Sequence, residues 1–371
     1  MICENTKCIA YIGTYTSGKS EGIYIFEMDT QTGELKPAGV CKGLENPSYQ
    51  VIDNKTEYLY TVMETEKFNG EKGGAVAAFA IDKKTGLLEF VNCQPTKGRV
   101  PCHISIDSSR EYIFAANYTE GTISVFPISQ DGSISPVSCI VKHEGSGPNK
   151  ERQEKAHAHY VSLTPDEKYL CAVDLGIDRI MVYDFDREKG RLYPSKHPEV
   201  IIKPASGPRH MAFHPSGKFA YLINELSSDI AAFEYSSSDG TFSEIQYIST
   251  LPGESNLPQE LSKPLVNYCS AIHISQDGQF LYGSNRGHDS IAIFKIDQLS
   301  GKLELTSITS TGGNFPRDFA IDPSGKFLYA ANQNSDTIVV FRITQESGII
   351  EPTGSIINVP DPVCIKFVIL K

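Results

Sequence analysis

Apolar and polar residues alternate in short runs along most of this chain, and one run keeps returning. It reads Arg110-Glu-Tyr-Ile-Phe-Ala-Ala-Asn117, Lys168-Tyr-Leu-Cys-Ala-Val-Asp174, Lys218-Phe-Ala-Tyr-Leu-Ile-Asn224, Gln279-Phe-Leu-Tyr-Gly-Ser-Asn285 and Lys326-Phe-Leu-Tyr-Ala-Ala-Asn332, after a weaker copy, Glu57-Tyr-Leu-Tyr-Thr-Val-Met63. Counted three residues before each end, the copies fall at Tyr60, Phe114, Cys171, Tyr221, Tyr282 and Tyr329. A recurrence near fifty residues in a strand-like sequence predicts repeated β-sheet blades. Each unit reads as four strands. Between Pro101 and Val141, His103-Ile-Ser-Ile-Asp107 alternates, Tyr112 to Ala116 returns as a buried strand, and Thr122 to Phe126 makes a third. Gln130-Asp-Gly132 is a hairpin signal leading to a fourth strand over Ile134 to Ile140. Four antiparallel strands of this kind form one propeller blade.

Six units begin near Pro47, Pro101, His157, Pro208, Cys269 and Phe315. The N-terminal piece supplies three more strands (Ile9 to Ile12, Gly22 to Phe26, Glu34 to Pro37) and lacks an innermost one, which Val363 to Val368 would provide. Joining the two ends closes the ring and removes exposed sheet edges. The expectation is therefore an all-β fold, a seven-bladed propeller spanning 1–371 as one domain. Three polar insertions interrupt the repeat, at Glu64 to Gly74, His143 to Ala156 and Pro252 to Tyr268; connections of this kind tend to be functional.

Composition narrows the partners. No run approaches the roughly 18 apolar residues that a membrane span needs, and the first residues carry no signal-peptide pattern. The nine cysteines are scattered without a Cys-x-x-Cys pair, which fits a reducing, cytoplasmic setting. A net charge of −11 argues against a nucleic-acid binder.

Candidate chemistry follows from aligning the units. The hairpins between first and second strands are Pro215-Ser-Gly217, Gln276-Asp-Gly278 and Pro323-Ser-Gly325. Antiparallel pairing places the start of strand one and the end of strand two at the opposite face. The strand-one columns are Ser48, Cys102, His159, Arg209, Ser270, Arg317 and then Tyr49, His103, Tyr160, His210, Ala271, Asp318. Strand two ends at Met63, Asn117, Asp174, Asn224, Asn285, Asn332, followed by Glu64, Tyr118, Leu175, Glu225, Arg286, Gln333. Cations gathered at one channel mouth of an acidic protein predict an anion site. Asn and Asp at strand ends also cap turns, which competes with a binding role for Asn117, Asn224 and Asn332. His103 and His210 can equally be packed core histidines. His157-Ala-His159 lacks the partner spacing of a metal site, and no Gly-x-Ser-x-Gly, His-Glu-x-x-His or phosphate loop is present.

At these positions the chain resembles the seven-bladed lactonase family almost end to end. Arg152-Gln with Ala156-His-Ala-His159, Asp174-Leu-Gly-Ile-Asp178-Arg179, Gly207-Pro-Arg-His210, Asn224-Glu-Leu226, Ser284-Asn-Arg-Gly-His-Asp289 and Pro316-Arg317 carry the resemblance, with Tyr11-Ile-Gly-Thr-Tyr15 and Pro362-Val-Cys-Ile365 at the ends. It implies hydrolysis of 6-phosphoglucono-δ-lactone in the pentose phosphate pathway, with neither metal nor organic cofactor. It also implies that His159, Arg209, Glu225 and Arg286 form the reacting group. Glu225 is the first candidate for the base and His159 the alternative, with Arg209 or Arg286 polarising the carbonyl. Substrate contacts are expected from His103, Asn117, His157, Asp174, His210, Asn285, Arg317 and Asn332, with Arg152 or Lys155 as further cations. A small anionic sugar lactone is the expected partner, with the protein a monomer or weak homo-oligomer. Two other readings remain open: a lactonase or cycloisomerase for a carboxylated lactone, and a non-catalytic propeller that binds a partner on its face. Zero Trp and a polar rim count against the last.

Overall fold

A computed structural model describes residues 7–253 and 266–370. Seven four-stranded antiparallel sheets are present, each in simple meander order. Blade one is assembled from both ends of the chain: Pro362–Leu370 is innermost, followed outward by Lys7–Thr14, Gly22–Met28 and Leu35–Lys42. The register Lys7↔Leu370 to Ile12↔Ile365 makes this closure continuous. Blades two to seven start with inner strands Gln50–Ile52, Pro101–Ile106, Ala158–Leu163, Pro208–Phe213, Tyr268–Ile274 and Pro316–Ile321. One outer strand departs from the expectation. In blade three it covers Cys139–Lys142, and Ile134 makes only an isolated bridge to Ile128. Pro136 lies between them and has no N–H to donate to a ladder. The insertion after Met63 folds back as a hairpin, Lys67–Phe68 with Glu71–Lys72. Most of the predicted Pro252 to Tyr268 loop, and the start of the chain, lie outside the described residues.

The recurring phrase is a fastener between blades. In four copies, and at the equivalent Tyr11 in the second strand of blade one, a tyrosine hydroxyl donates to a glycine carbonyl in the outer hairpin of the following blade: Tyr11 to Gly86 (2.8 Å), Tyr60 to Gly132 (3.1 Å), Tyr221 to Gly301 (3.0 Å), Tyr282 to Gly348 (2.9 Å) and Tyr329 to Gly33 (2.7 Å). The last bond spans the ring closure. Residues at these glycines must adopt positive φ, 78° at Gly33, and a Cβ there would come within 2.6 Å of the Phe327 ring. Only glycine meets both conditions without strain. Apolar side chains of each phrase fill the gaps between sheets, as where Phe327, Tyr329 and Ala331 join Ala10, Ile12 and Phe26. Among the described residues no helix is long and apolar enough to cross a membrane.

One irregularity of the inner strands decides where the chemistry goes. Register shifts fall between Pro101 and His103, Ala158 and Tyr160, Pro208 and His210, Cys269 and Ile272, and Pro316 and Asp318. Such β-bulges re-aim side chains. Four of them leave one residue out of the ladder, and the shift at Cys269 leaves out Ser270 and Ala271. Cys102, His159, Arg209 and Arg317 are such residues.

Candidate active site

The bulged residues and the residues that follow the second strands enclose a cavity of about 280 Å3 at the channel mouth. Cys102, His159 and Arg317 come from bulges, and Tyr15, Glu64, Tyr118, Glu225 and Arg286 follow strands. Val100 and Arg152 complete the wall, with Arg152 reaching in from the 143–156 insertion. Tyr15 is the seventh member of the column Glu64, Tyr118, Leu175, Glu225, Arg286, Gln333. Sequence alignment of six units left it out because its inner strand lies at the other end of the chain.

Glu225 is the hub. Arg286 Nη2 lies 2.8 Å from its Oε2, and Arg209 Nε lies 3.1 Å from the same atom, off the hydrogen-bonding direction. Among the described residues Arg152 Nη2 alone holds Oε1, at 2.5 Å. Burial pushes the carboxyl up, but Arg286, Arg209 and Arg152 outweigh it and hold Glu225 well below the usual carboxylate range. Arg209 donates to the Ser270 carbonyl (2.8 Å), and Arg286 to those of Tyr268 (3.2 Å) and Cys269 (3.0 Å). Their geometry is therefore fixed by the backbone. Burial and the neighbouring guanidiniums of Arg286 and Arg317 depress Arg209, and burial also depresses Arg286. Such crowding makes the mouth receptive to an anion.

On the facing wall, Tyr15 donates to Glu64 Oε1 at 2.9 Å, Ser48 donates to Glu64 Oε2, and Arg317 sits 5.1 Å over the Tyr15 ring. Arg317 Nη2 is 3.9 Å from Glu64. Four guanidiniums against two carboxylates leave the mouth with surplus positive charge. His159 lies within this field: burial, then the Arg209 charge, keep its imidazole neutral, well below its ordinary pKa of 6.5. Its Nδ1 has no hydrogen-bond partner among the described residues, and Tyr118 meets its ring edge-on at 5.6 Å.

The remaining sequence candidates are placed elsewhere. His103 and His210 turn to the opposite end of the channel, into a second cavity of about 520 Å3 shared with Tyr49, Tyr160, His273 and Lys366. The bulge explains this. Cys102 and His103 are adjacent, yet only the unpaired one faces the mouth. Asn117, Asn285 and Asn332 are fully buried and bonded within or between blades, to Thr122 and Ser124, to Thr250 and Asn267, and to Thr311. Asp174 accepts from His143 Nδ1 (2.7 Å), His157 N (2.7 Å) and Gly176 N (2.9 Å). His157 stacks on Tyr118 at 4.4 Å and meets Glu154 at 3.1 Å. These side chains shape the wall from behind and do not line the cavity. Among the described residues, no group of three or more His, Cys, Asp or Glu side chains is placed to hold a metal ion.

Fold and mouth together define a seven-bladed propeller that encloses a small anion-binding cavity. The chain belongs to the family described as Lactonase, 7-bladed beta-propeller, whose model matches residues 9–367. It is 44% identical over 364 residues to the 6-phosphogluconolactonase of Bacillus subtilis, covering 98% of this chain and 99% of that protein. Among solved structures it is similar to a candidate 6-phosphogluconolactonase of Bacteroides fragilis (TM-score 0.90, 38% identity, 99% of each chain). A periplasmic gluconolactonase of Pseudomonas aeruginosa is similar too (TM-score 0.91, 32% identity, 99% of this chain and 100% of that one).

Proposed function

We propose that the chain is a 6-phosphogluconolactonase that hydrolyses 6-phospho-D-glucono-1,5-lactone to 6-phosphogluconate, the whole of 1–371 acting as one domain. What carries the reading is the surplus of guanidinium charge around a cavity of about 280 Å3, in a chain 44% identical to the Bacillus subtilis enzyme over nearly its full length.

Ester hydrolysis needs a base for water and a cation at the developing oxyanion. His159 suits the first role better than Glu225. It is neutral and opens to the cavity, whereas three guanidiniums leave Glu225 with little basicity. In this mechanism water attacks the lactone carbonyl carbon while His159 takes its proton. Arg286 or Arg317 faces the carbonyl oxygen as negative charge grows there. Collapse of the tetrahedral intermediate breaks the ring C–O bond, and the imidazolium returns the proton to the departing alkoxide. Glu225 fixes the guanidiniums and steadies the transient imidazolium. Arg209, behind Glu225 and off the cavity wall, acts through that carboxylate.

The eight described cysteines are all free, which supports a reducing, cytoplasmic setting for the enzyme. The test is turnover of 6-phosphoglucono-δ-lactone, glucono-δ-lactone and carboxymuconolactone in parallel. The first should be fastest. Preference for carboxymuconolactone would favour the carboxylated-lactone reading, and no turnover of any would leave a binding protein. Glu225→Gln compared with His159→Asn separates the two base assignments: if His159 is the base, Glu225→Gln should cost less, since Glu225 then acts only by holding the guanidiniums and steadying the imidazolium.

A further inference from the structure

Of the four arginines around the mouth, three are carried by blade strands. Arg152 alone stands on a connection, the segment from His143 to His157 between blades three and four. Its side chain is also the most exposed, at 32% against 3% for Arg209, 6% for Arg286 and 19% for Arg317. Arg209 and Arg286 are pinned by backbone carbonyls. The partners of Arg152 are side chains: Glu225 Oε1, the Tyr118 hydroxyl at 3.4 Å and the Tyr268 ring at 5.5 Å. Arg317 also has side-chain partners, Glu64 at 3.9 Å and the Tyr15 ring at 5.1 Å, but it is less exposed and stands on a blade strand, so Arg152 is the rim guanidinium that can change partner without disturbing a blade.

The segment that carries it is anchored at both ends by one buried carboxylate. Asp174 Oδ2 takes His143 Nδ1 at the start, and Oδ1 takes the His157 backbone N–H at the end. Next to Arg152, the fully buried Gln153 donates to the Leu175 carbonyl at 2.9 Å and accepts from Asn149 N at 3.1 Å. The backbone under Arg152 is thus fixed while its side chain reaches over the cavity from the rim. An arginine fork matches phosphate as well as it matches a carboxylate.

We propose that Arg152 is the residue that determines specificity for the phosphorylated lactone, exchanging Glu225 for the substrate phosphate when it binds. The inference rests on the 6-phosphogluconolactonase reading above. In the structure Arg152 covers Glu225. An incoming dianion competes for the same fork, draws Arg152 to itself and uncovers Oε1. Glu225 then keeps only Arg209 and Arg286, and its less neutralised charge raises the basicity of His159. Phosphate recognition at the rim is in this way coupled to base strength below it, and a lactone without phosphate leaves the cover in place.

The experiment compares kcat/KM for 6-phosphoglucono-δ-lactone and glucono-δ-lactone in wild type and Arg152→Gln. The phosphorylated-to-plain ratio should fall ~10-fold or more, since a bidentate charged contact is lost, with KM for the phosphorylated lactone rising. Inorganic phosphate should inhibit the wild type competitively and the variant far less. Arg152→Lys, which keeps charge but not the fork, should be intermediate, and it carries the test if Arg152→Gln does not fold. Gln153→Ala, which loosens the segment without touching the cavity, should lower the ratio by a smaller factor. An Arg152→Gln enzyme with the wild-type ratio and undiminished phosphate inhibition overturns the proposal. A wild type with no preference for the phosphorylated lactone would instead overturn the functional reading on which it rests.

Discussion

The two ends of the channel are built from neighbouring residues and have opposite characters. Arg209 and His210 are adjacent, as are His159 and Tyr160, Cys102 and His103, and Arg317 and Asp318. The first of each pair serves the mouth, by lining the cavity or, for Arg209, by backing Glu225, and the second points toward the hairpin end. At the mouth, charges converge on Glu225 and the cavity is narrow. At the far end, Tyr49, His103, Tyr160 and His210 pack ring on ring, with His103 centred 4.4 Å from both tyrosines and 5.3 Å from His210. Lys366 lies 4.6 Å over the Tyr49 ring. The inner-strand bulges divide a charged chamber from an aromatic one, with His210 at the boundary, its ring 5.2 Å from that of His159 and its Nε2 3.3 Å from Arg209 Nη1. Sequence position alone does not assign a residue to either.

The most direct way to break the contrast is to remove the base at the mouth. His159→Asn should lower kcat by roughly 10²- to 10⁴-fold, the usual span for a general base, with the fold intact. In wild type, activity should hold below pH 6.5 and fall only as the pH drops through the depressed pKa of His159. A pH profile whose acidic limb lies instead in the range of a strongly depressed carboxylate would return the role to Glu225. Arg286→Gln comes next. If Arg286 meets the oxyanion, kcat should fall by roughly 10²- to 10³-fold. An equal loss in Arg317→Gln alone would move the assignment across the cavity.

The opposite chamber predicts a different response. Asn at His103 should change kcat/KM by less than ~10-fold, since the ring does not reach the mouth, whereas the pH dependence of stability should shift. Burial holds His103, His159 and His210 neutral, well below 6.5. The unfolded chain therefore binds protons at these rings near pH 6.5 while the folded chain does not. Stability is complete above that pH and is lost as the pH falls, by up to about 1.4 kcal/mol per pH unit for each histidine. His103→Asn should flatten that slope. A melting temperature in wild type that is level from pH 7 to pH 5 would contradict the buried neutral state.

The recurring phrase made most of the fold legible, because a buried apolar strand repeats in every blade and in most of them carries a central tyrosine that clasps the next blade. Ring closure was legible for the same reason, since an N-terminal set of three strands leaves an inner edge that needs covering. The site was legible only in part. Glu225, Arg286 and Arg317 follow from the columns, but the side to which Arg209 or His210 turns depends on a bulge that leaves no mark in a two-residue period. Arg152 stands on a segment outside the repeat, so no alignment of blades could place it over Glu225. Tyr15 was hidden by the split of blade one between the chain ends. The asparagines at strand ends had the composition of a binding ring, yet Asn117 bonds across its own turn and Asn285 and Asn332 bond to the connection from the preceding blade.

The smallest effect falls at the ring closure. Tyr329→Phe removes the hydroxyl that donates to the Gly33 carbonyl at 2.7 Å and leaves the aromatic ring in place among Phe327, Ile12 and Ile365. Packing is kept and one hydrogen bond is lost, so the cost should be about 1 kcal/mol, somewhat more if the carbonyl stays dry. In a domain of this length that lowers the melting temperature by only a few degrees. Tyr221→Phe breaks the equivalent bond between blades five and six, at 3.0 Å, where the chain itself already connects the blades. At the closure the sheet pairing of Lys7–Thr14 with Pro362–Leu370 and this latch hold the ends together. The two variants should therefore match at equilibrium and diverge in unfolding rate, with Tyr329→Phe opening faster. Equal unfolding rates would show that the strand pairing alone sets the strength of the closure.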